Sequence, residues 1–330
     1  MSYIIFFLFI VNLIIFQFNK SIAKKLNLFD KPDYKRKIHL VSIPLTGGIF
    51  LYINFILILT FLNIEFFNDL KLSFDNKREL ISLFFLVTSL FLLGLYDDRY
   101  EINPQNKLFL LTFIVLIGIL IDEDLIIKNL NFFYYDYSFN LSKLSIPLTI
   151  LFILLFINAL NMFDGIDMQV SLYFLITILF LFAKFELQFL LFFIPAILFI
   201  CFFNIKKKLF LGDSGTNIIA ILISWIIIKD YNLNETFFCE EIFIIMSIPG
   251  LDMFRLFCIR ILNGQNPFKA DNNHLHHLFL RKFKFSQSFL LIQFLIIAPI
   301  IFYLLQGSSV ISVIVAIIIY LLSLLFLKLK

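Results

Sequence analysis

The sequence predicts an all-α integral membrane protein, a bundle of about eleven transmembrane helices. Of its 330 residues, 61% are hydrophobic and 15% are charged, and the mean hydropathy is +0.96. A soluble domain is about 45–50% apolar and about 25% charged. Phenylalanine alone contributes 47 residues, whereas there are only 10 glycines and 8 prolines. This composition excludes a secreted disulfide scaffold, a disordered chain and an ordinary cytosolic enzyme.

The spans follow from the apolar runs, because a membrane-crossing helix needs roughly 17–25 mostly apolar residues. The eleven predicted spans are 3–18, 43–63, 79–95, 108–121, 144–162, 169–183, 187–203, 216–228, 237–251, 287–305 and 309–327. The first run has no basic leader and is followed by a dense basic stretch, so we expect a retained anchor. Without an internal repeat or a linker, residues 1–330 are predicted to form a single polytopic membrane domain.

The basic residues predict the orientation. Loops on one face carry 20 of the 27 lysines and arginines, in 20–37, 99–107, 206–208, 255–284 and 328–330. The opposite face is comparatively acidic and includes residues 122–124. Positively charged loops stay in the cytoplasm. We therefore expect a multi-pass protein of the cytoplasmic (inner) membrane with its N-terminus outside and its C-terminus in the cytoplasm.

Five polar clusters fall on the predicted cytoplasmic face. The first, residues 43–48, ends in Gly47 and Gly48, and it also fits a helix start with glycines for close packing. The second contains Asp97 and Asp98 at the end of the third span. Adjacent carboxylates at the negative end of a helix need a cation, a proton or a basic partner. Either the neighbouring Arg99 or a functional cation could supply it.

The third cluster runs from Asn158 to Asp167. Asn158, Asn161, Asp164 and Asp167 are spaced three residues apart and share one face if the segment stays helical, although Gly165 allows a break there. Ionisable groups near a membrane interior indicate a functional site. The alternative is a purely structural ladder of polar groups.

The fourth cluster is residues 210–216. Its small residues let backbone N–H groups approach a ligand, and the start of the following helix favours an anion. Asp213 would repel that anion unless a metal ion lay between them. An ordinary Asp or Ser helix cap is the alternative.

The fifth cluster, residues 267–277, contains His274, His276 and His277, three of the four histidines of the chain. The cysteines are not placed to complete a zinc site. Contacts to phosphate, with Lys269 nearby, fit better.

Together these clusters combine carboxylates, an asparagine, glycine-flanked backbone, lysine and histidine. Mg²⁺ prefers oxygen ligands and often binds one or two carboxylates together with substrate phosphates. Basic groups complement the remaining phosphate charge. The sequence therefore predicts phosphoryl transfer with an active site at the cytoplasmic face of the membrane.

In these motifs the chain resembles the polyprenyl-phosphate N-acetylhexosamine-1-phosphate transferase family. The resemblance runs from Asp30 to Leu280, through residues 30–32, 44–48, 97–98, 158–167, 212–215 and 274–277. It implies transfer of a sugar 1-phosphate from a UDP-N-acetylhexosamine to undecaprenyl phosphate, with release of UMP. It also implies dependence on Mg²⁺, with Mn²⁺ as an alternative, and a role in lipid-linked cell-envelope polysaccharide synthesis. The expected partners are these two substrates and the bilayer; no nucleic acid is expected, and a homodimer is left open.

The resemblance also implies roles for individual residues. Asp97, Asp98 and Asp164 would be catalytic, and Asn161 and Asp213 would be Mg²⁺ ligands. The implied substrate-binding residues are Lys107, Asp167, His274, His276, His277, Gly47 and Gly48.

Three positions depart from the family pattern. Glu101 stands where a third aspartate is usual, Met168 where glycine is usual, and Thr46 where a bulkier residue is usual. None of these changes removes an implied metal ligand or acidic group.

Two other functions fit a polytopic chain with ionisable groups. An ion-coupled transporter could use the carboxylates and histidines as a proton relay, but its groups should lie near the middle of the membrane. A catalytically inactive scaffold protein would not need to retain the acidic residues and histidines of these clusters. The transferred sugar stays open among GlcNAc, GalNAc, FucNAc, QuiNAc and modified derivatives. Direct attack by the lipid phosphate is preferred over a covalent intermediate because it needs fewer groups.

Overall fold

A computed structural model describes residues 2–32, 41–62, 76–134, 137–233, 237–266 and 272–328. Twelve α-helices lie in these ranges, with two short antiparallel sheets. The helices are α1 (Ser2–Leu26), α2 (Gly47–Leu62), α3 (Lys77–Tyr100), α4 (Pro104–Ile121), α5 (Ser145–Phe163), α6 (Gln169–Phe185), α7 (Ile194–Ile205), α8 (Gly212–Leu233), α9 (Cys239–Leu262), α10 (Leu275–Lys282), α11 (Phe285–Gln306) and α12 (Ser309–Lys328). Strands β1 (Phe29–Asp30) and β2 (Ile43–Pro44) pair with Phe29 opposite Pro44, and β3 (Asn129–Leu130) and β4 (Phe139–Asn140) pair with Asn129 opposite Asn140. The predicted basic residues Lys35, Arg36, Lys37 and Lys269 lie outside the described residues.

The prediction of an all-α integral membrane protein is confirmed. Within the described ranges, nine helical segments are long and apolar enough to cross a membrane. The shorter apolar helices α2 and α6 complete the eleven predicted spans. The seventh span begins as a 3₁₀ turn, Gln188–Phe193, and continues as α7 with Pro195 in its first turn. Proline is favoured there because its missing N–H would have no helical partner. The chain is a multi-pass membrane protein.

Charged residues extend two helices beyond their predicted ends. Helix α8, predicted as 216–228, begins at Gly212 and ends at Leu233, and α9, predicted as 237–251, continues to Leu262. The basic loop expected over 255–284 therefore begins as helix and later contains α10. Hydropathy ended α9 too early because Asp252 and Arg255 pair with each other at 2.7 Å and so remain inside the helix.

The chain divides into two compact units. The first unit consists of Met1–Ile121 and Val170–Leu222. In it α1 and α2 pack on α7, and α3 packs on α2 and α4. Tyr52 of α2 stacks on Phe91 of α3 with 4.1 Å between ring centroids, and its hydroxyl lies 3.1 Å from the Thr88 hydroxyl. Aromatic stacking thus joins the two helices that lead to the polar end of α3.

A buried pair of amides also joins α1 to α2 in this unit. Asn12 Nδ2 donates to Asn54 Oδ1 at 3.1 Å, and Asn54 Nδ2 donates back to Asn12 Oδ1 at 2.9 Å. Each amide uses its second N–H on a carbonyl of its own helix, that of Leu8 or Phe50, at 2.7 Å. A polar group in hydrocarbon has no water to bind, so this reciprocal pairing fixes the contact between the two helices.

The second unit consists of Asp122–Gln169 and Ile223–Lys330. Helix α9 is central to it and packs on α5, α11 and α12. The last turns of α8 are anchored by the buried Lys229, whose Nζ lies 3.0 Å from Asp122 and 3.5 Å from Asp124. A lysine of α8 thus pairs with two of the three acidic residues in the loop that is expected on the outer face.

We expect the single substitution Asn12→Leu to lower the free energy of unfolding by about 1 kcal/mol, because it leaves the Asn54 amide without its side-chain partner in an apolar setting. Thermal unfolding of the purified protein in detergent measures this loss. The double substitution Asn12→Leu/Asn54→Leu is the control and should recover part of it, since no amide is then left unpaired. Equal loss in the single and double variants would contradict the pairing.

Candidate active site

Four predicted site residues of the first unit lie together, and we call them the carboxylate–lysine cluster: Asp97, Asp98, Lys107 and Asp213. The two aspartates at 97 and 98 occupy the last turn of α3, Lys107 the first turn of α4 and Asp213 the first turn of α8. Lys107 Nζ lies 2.6 Å from Asp97 Oδ2 and 2.5 Å from Asp213 Oδ2. One ammonium group therefore lies between two carboxylates that come from distant parts of the sequence and binds both.

Asp97 also shapes the turn between α3 and α4. Its Oδ1 accepts the backbone N–H of Ile102 at 2.6 Å. Glu101 ends α3 in the left-handed region at φ 51°, and its N–H donates to the Asp97 carbonyl at 2.9 Å. Glu101 itself is exposed. Because of this connection, Lys107 lies one helical turn into α4, where its ammonium group reaches the Asp97 carboxylate.

Asp98 binds the beginning of α8. Its carboxylate accepts the backbone N–H groups of Asp213 at 2.7 Å and of Ser214 at 3.1 Å, and the Ser214 hydroxyl donates to it at 2.8 Å. The first N–H groups of a helix have no partner within the helix, and negative charge is favoured at this end. Asp98 of α3 therefore caps the start of α8, whereas the alternative drawn from the sequence was a cap by an Asp or Ser of the cluster itself.

Glycine permits the close approach of α3 to this turn. A Cβ on Gly94 would lie 2.4 Å from Ser214 Cα and 2.5 Å from Ser214 N. Gly212 adopts φ +72°, and a Cβ there would lie 2.7 Å from Asp98 Oδ2. A larger residue at Gly94 would overlap the backbone of the first turn of α8, and one at Gly212 would be strained by the positive φ and would displace the Asp98 carboxylate.

Gly47 and Gly48 hold the segment just before α8. Their N–H groups donate to the carbonyls of Phe210 at 2.9 Å and Leu211 at 3.1 Å. A Cβ on Gly48 would lie 2.3 Å from Ser214 Oγ. Both glycines are buried and their N–H groups are used within the protein. They position the first turn of α8, and their direct contact with substrate stays a prediction.

In the second unit, the helical spacing of the third cluster holds only in part. Asn158 and Asn161 lie on α5, but α5 ends at Phe163, and Asp164 follows it with ψ 60°. The Asp164 N–H still donates to the Leu160 carbonyl at 3.1 Å, so this residue closes the helix. The break at Gly165 that the sequence allows is present. Asp164 and Asp167 therefore lie in the connection between α5 and α6.

Met168, at the end of this connection, has a backbone conformation that favours glycine. Its φ is +64°, in the left-handed region where glycine is favoured. The resemblance places glycine at this position, and the backbone keeps the glycine-like conformation although the residue has changed. The left-handed conformation costs an ordinary residue about 1–2 kcal/mol, so packing in this region must offset it.

The three predicted histidines form a compact group, which we call the histidine cluster: His274, His276 and His277. His274 precedes the first residue of α10, and the other two lie in its first turn. The rings of His274 and His276 are parallel within 2° with centroids 5.5 Å apart, and His277 lies 4.2 Å from His276. Burial, together with the neighbouring His277 and His274, lowers the pKa of His276 from 6.5 to about 3. His276 is therefore neutral at ordinary pH.

The histidine cluster touches the α5–α6 connection. A Cβ on Gly165 would lie 1.8 Å from His276 Nε2. Only glycine at this position leaves room for the His276 ring. The motif containing Asp164 and Asp167 and the histidine motif are thus neighbours in the second unit, although more than a hundred residues separate them in sequence.

Sequence reasoning missed three residues around the histidine cluster: Asp252, Arg255 and Tyr320. Asp252 Oδ2 lies 3.1 Å from His274 Nδ1, and its Oδ1 accepts from Arg255 Nη2 at 2.7 Å. Tyr320, from α12, donates to Asp252 Oδ1 at 3.3 Å. Arg255 was counted only as part of the cytoplasmic charge. In the sequence, Asp252 and Tyr320 could have been found because each interrupts an apolar run. An ionisable residue inside a membrane segment indicates a functional site.

The carboxylate–lysine cluster contains carboxylate oxygens, the type of ligand that a hard divalent cation prefers. Oxygens of Asp97 and Asp213 already converge on one cationic atom, Lys107 Nζ. Mg²⁺ typically binds one or two carboxylates and completes its shell with water and substrate phosphates. Among the described residues, no group of three or more His, Cys, Asp or Glu side chains is arranged to hold a metal. Of the two predicted metal ligands, Asp213 belongs to the first unit and Asn161 to the second, and their joint ligation of a metal stays a prediction.

Comparison with known proteins gives a family and a set of relatives. Residues 80–230 match the model of glycosyl transferase family 4. An undecaprenyl-phosphate alpha-N-acetylglucosaminyl 1-phosphate transferase of Escherichia coli (strain K12) is 27% identical over 295 residues, covering 83% of this chain and 75% of the relative. Proteins of the same name from Salmonella typhimurium and Pasteurella multocida are each 29% identical. They cover 83% and 84% of this chain and 75% and 78% of the relative, respectively. These matches confirm the resemblance that the ordered motifs predict.

We expect Gly94→Ala to destabilise the first unit by about 1–3 kcal/mol, because the added methyl group overlaps the backbone of Ser214 and the overlap cannot be relieved by rotating a side chain. Thermal unfolding in detergent measures the change. Gly250→Ala in α9 is the matched control, since the nearest atom to its Cβ is Met246 Cγ at 3.4 Å, an ordinary contact. If the two variants unfold at the same temperature, the close approach of α3 to α8 is wrong.

We expect stability to fall as the pH is lowered from about 6.5 towards 3, and His276 to cause part of that fall. Because the folded-state pKa is lowered, the unfolded chain binds more protons in this window, so acid favours unfolding. The midpoint of thermal unfolding, followed against pH, should change less steeply in His276→Gln. His277→Gln, at a half-buried neighbour, is the comparison. A wild-type slope in His276→Gln would show that His276 is not held neutral.

Proposed function

We propose that this relative of the glycosyl transferase family 4 proteins transfers an N-acetylhexosamine 1-phosphate from a UDP-sugar to undecaprenyl phosphate. An oxygen of the lipid phosphate attacks the β-phosphorus of the UDP-sugar. The bond from that phosphorus to the oxygen bridging the two phosphates breaks, and UMP leaves with this oxygen. The product is undecaprenyl diphosphate N-acetylhexosamine, the first lipid-linked intermediate of a cell-envelope polysaccharide. GlcNAc is the donor sugar that the names of the relatives support.

The observation that carries the proposal is the position of Lys107 between Asp97 and Asp213. Phosphoryl transfer depends on positioning and on neutralising charge on the transferring oxygens. A lysine held by two carboxylates is in place before substrate arrives, and its ammonium group can then bind a phosphate oxygen. Asp213 is kept near this lysine because the first turn of α8 is held in place. Its backbone N–H groups bind Asp98, and Gly94 permits the close approach of α3.

Mg²⁺ is proposed as the cofactor, with Mn²⁺ as the alternative, and Asp213 and Asn161 as its ligands. When bound, the ion neutralises the donor diphosphate and polarises its phosphorus–oxygen bonds. Asp213 has one carboxylate oxygen on Lys107, so the same side chain can fix both the lysine and the ion.

Asp97 and Asp98 are assigned different tasks within the acidic pair. Asp98 accepts three hydrogen bonds from the first turn of α8, which fix the orientation of its carboxylate against that turn. We therefore assign Asp98 to positioning Asp213. Asp97, paired with Lys107, is assigned to orienting the lipid phosphate and accepting its remaining proton.

The second unit is assigned to the donor. Asp167 would contact the uridine end and Asp164 would support the site, while the histidine cluster would face the diphosphate or the sugar. The contact of His276 with Gly165 supports a common task for these two motifs. Because His276 is neutral, it can accept a hydrogen bond from a sugar group, and it adds no positive charge.

The site is proposed to face the cytoplasm, with the N-terminus outside and the C-terminus inside. Most lysines and arginines fall in the loops of that face, as the positive-inside rule requires. The candidate residues lie at helix ends: Asp97 in the last turn of α3, Asp213 in the first turn of α8, and His274 next to α10. An ion-coupled transporter would carry such groups near the middle of the membrane, so this placement favours the transferase.

Release of UMP by the purified protein tests the proposal. We expect release only with undecaprenyl phosphate, a divalent cation and one member of a panel of UDP-N-acetyl sugars. Asp213→Asn should lower the rate at least about 100-fold, because it removes one of the two charges that hold Lys107 and a proposed metal ligand. Asp230→Asn, the same substitution at the other end of α8, is the control for folding and should keep most of the activity.

Three outcomes would count against the proposal. Absence of release with every donor would exclude these transfer reactions. Release that does not depend on the lipid would indicate hydrolysis of the UDP-sugar. Equal activity of Asp213→Asn and Asp230→Asn would remove Asp213 from the site.

A further inference from the structure

Asp252 accepts hydrogen bonds from several directions inside the second unit. This carboxylate of α9 is only 3% exposed. Arg255 Nη2 donates to it at 2.7 Å, the Tyr320 hydroxyl at 3.3 Å, and the backbone N–H of Leu275 at 3.1 Å and 3.2 Å to its two oxygens. His274 Nδ1 completes the set at 3.1 Å. A buried carboxylate with this many donors has a fixed orientation and acts as an acceptor only.

The carboxylate determines which nitrogen of His274 carries the proton. Because an ionised carboxylate cannot donate, the hydrogen bond to Nδ1 requires a proton on Nδ1. When the ring carries only this proton, its lone pair is on Nε2. Oriented carboxylate–histidine pairs use this effect to set both the tautomer and the plane of the ring.

The same carboxylate fixes the start of α10. Leu275 is the first residue of this eight-residue helix, and its N–H is one of those without a partner inside the helix. His274 makes no side-chain capping bond of its own. Asp252 therefore holds both the ring of His274 and the backbone from which His276 and His277 project.

Arg255 and Tyr320 support Asp252. Arg255 Nε donates to the Tyr320 hydroxyl at 3.0 Å, and its Nη2 also donates to the Asn273 carbonyl at 2.7 Å. Tyr320, on the last helix of the chain, is 3% exposed. The network thus joins α9, the segment before α10 and α12 by hydrogen bonds around one buried charge. Such satisfied buried networks rigidify the groups that they contact.

We propose that Asp252, supported by Arg255 and Tyr320, is a positioning residue for the transfer reaction, which holds His274 as the Nδ1–H tautomer and presents Nε2 to the donor. The inference rests on the proposed function, because only that function gives the histidine cluster a substrate. It adds α12, outside the matched residues 80–230, to the parts of the chain on which catalysis depends. His274 stacks on His276, so the ring orientation set by Asp252 extends to the rest of the cluster.

Asp252→Asn is the first test, since the amide fills the same space without the acceptor-only charge. We expect kcat for UMP release to fall about 10–100-fold with KM for the UDP-sugar changed less than about threefold, as for other groups that orient a functional histidine. Tyr320→Phe removes one hydroxyl group from the support and should lower kcat about 3–10-fold. It keeps the inference testable if the Asp252 variant does not fold.

The chain offers matched controls in Glu241 and Tyr303. Glu241 is a buried carboxylate at the opposite end of α9, and it accepts a hydrogen bond from the Tyr303 hydroxyl of α11. Glu241→Gln and Tyr303→Phe therefore make the same chemical changes in the same helix and unit, away from the histidine cluster. A structural role alone would give similar kcat values in both pairs of variants at equal thermal stability, and that result would overturn the inference.

A second readout does not require activity. The chain has four histidines, so nitrogen NMR of imidazole-labelled protein can assign His274 by its loss in His274→Gln. We expect the Nδ1–H tautomer in the wild type and a shift towards Nε2–H in Asp252→Asn. An Nε2–H tautomer in the wild type would overturn the positioning role. Absence of UMP release with the expected tautomer would contradict the proposed function alone.

Discussion

The hydrogen bonds from the first turn of α8 to Asp98 are the contacts on which the first unit of this protein depends. They join the last turn of α3 to the start of a helix that is buried along its length. Gly94, Gly212 and Gly48 are constrained by the same approach, since each lies where a side chain would meet this turn or its cap. Asp213 can share Lys107 with Asp97 only because α3 and α8 are held at this distance.

The second unit repeats this arrangement with different residues. Asp252 binds the first N–H of α10 much as Asp98 binds the first N–H groups of α8. In both places a carboxylate of one helix binds the positive end of another, and the helix that it caps carries candidate reactive groups in its first turn. A fixed helix start is a suitable support for such groups because its backbone is held by the cap as well as by the helix.

Hydropathy alone was sufficient to predict the membrane fold, since each of the eleven expected spans coincides with an apolar helical segment. It placed the ends of α8 and α9 wrongly. A hydropathy average ends a predicted span at charged residues, even where those charges are paired within the fold and the helix continues. Motifs identified Asp97, Asp213 and the histidines, because those residues are clustered in sequence. Asp252 and Tyr320 are 68 residues apart and isolated among apolar neighbours, so only the packing of α12 on α9 brings them together.

The left-handed backbone of Met168 has a consequence for the entropy of the neighbouring connection. A glycine at this position would sample both signs of φ in the unfolded chain, whereas methionine visits the left-handed region rarely. At this position the unfolded chain therefore has fewer backbone conformations with methionine than it would have with glycine. Methionine therefore loses less backbone entropy than glycine when the protein folds, which offsets part of the cost of its left-handed conformation.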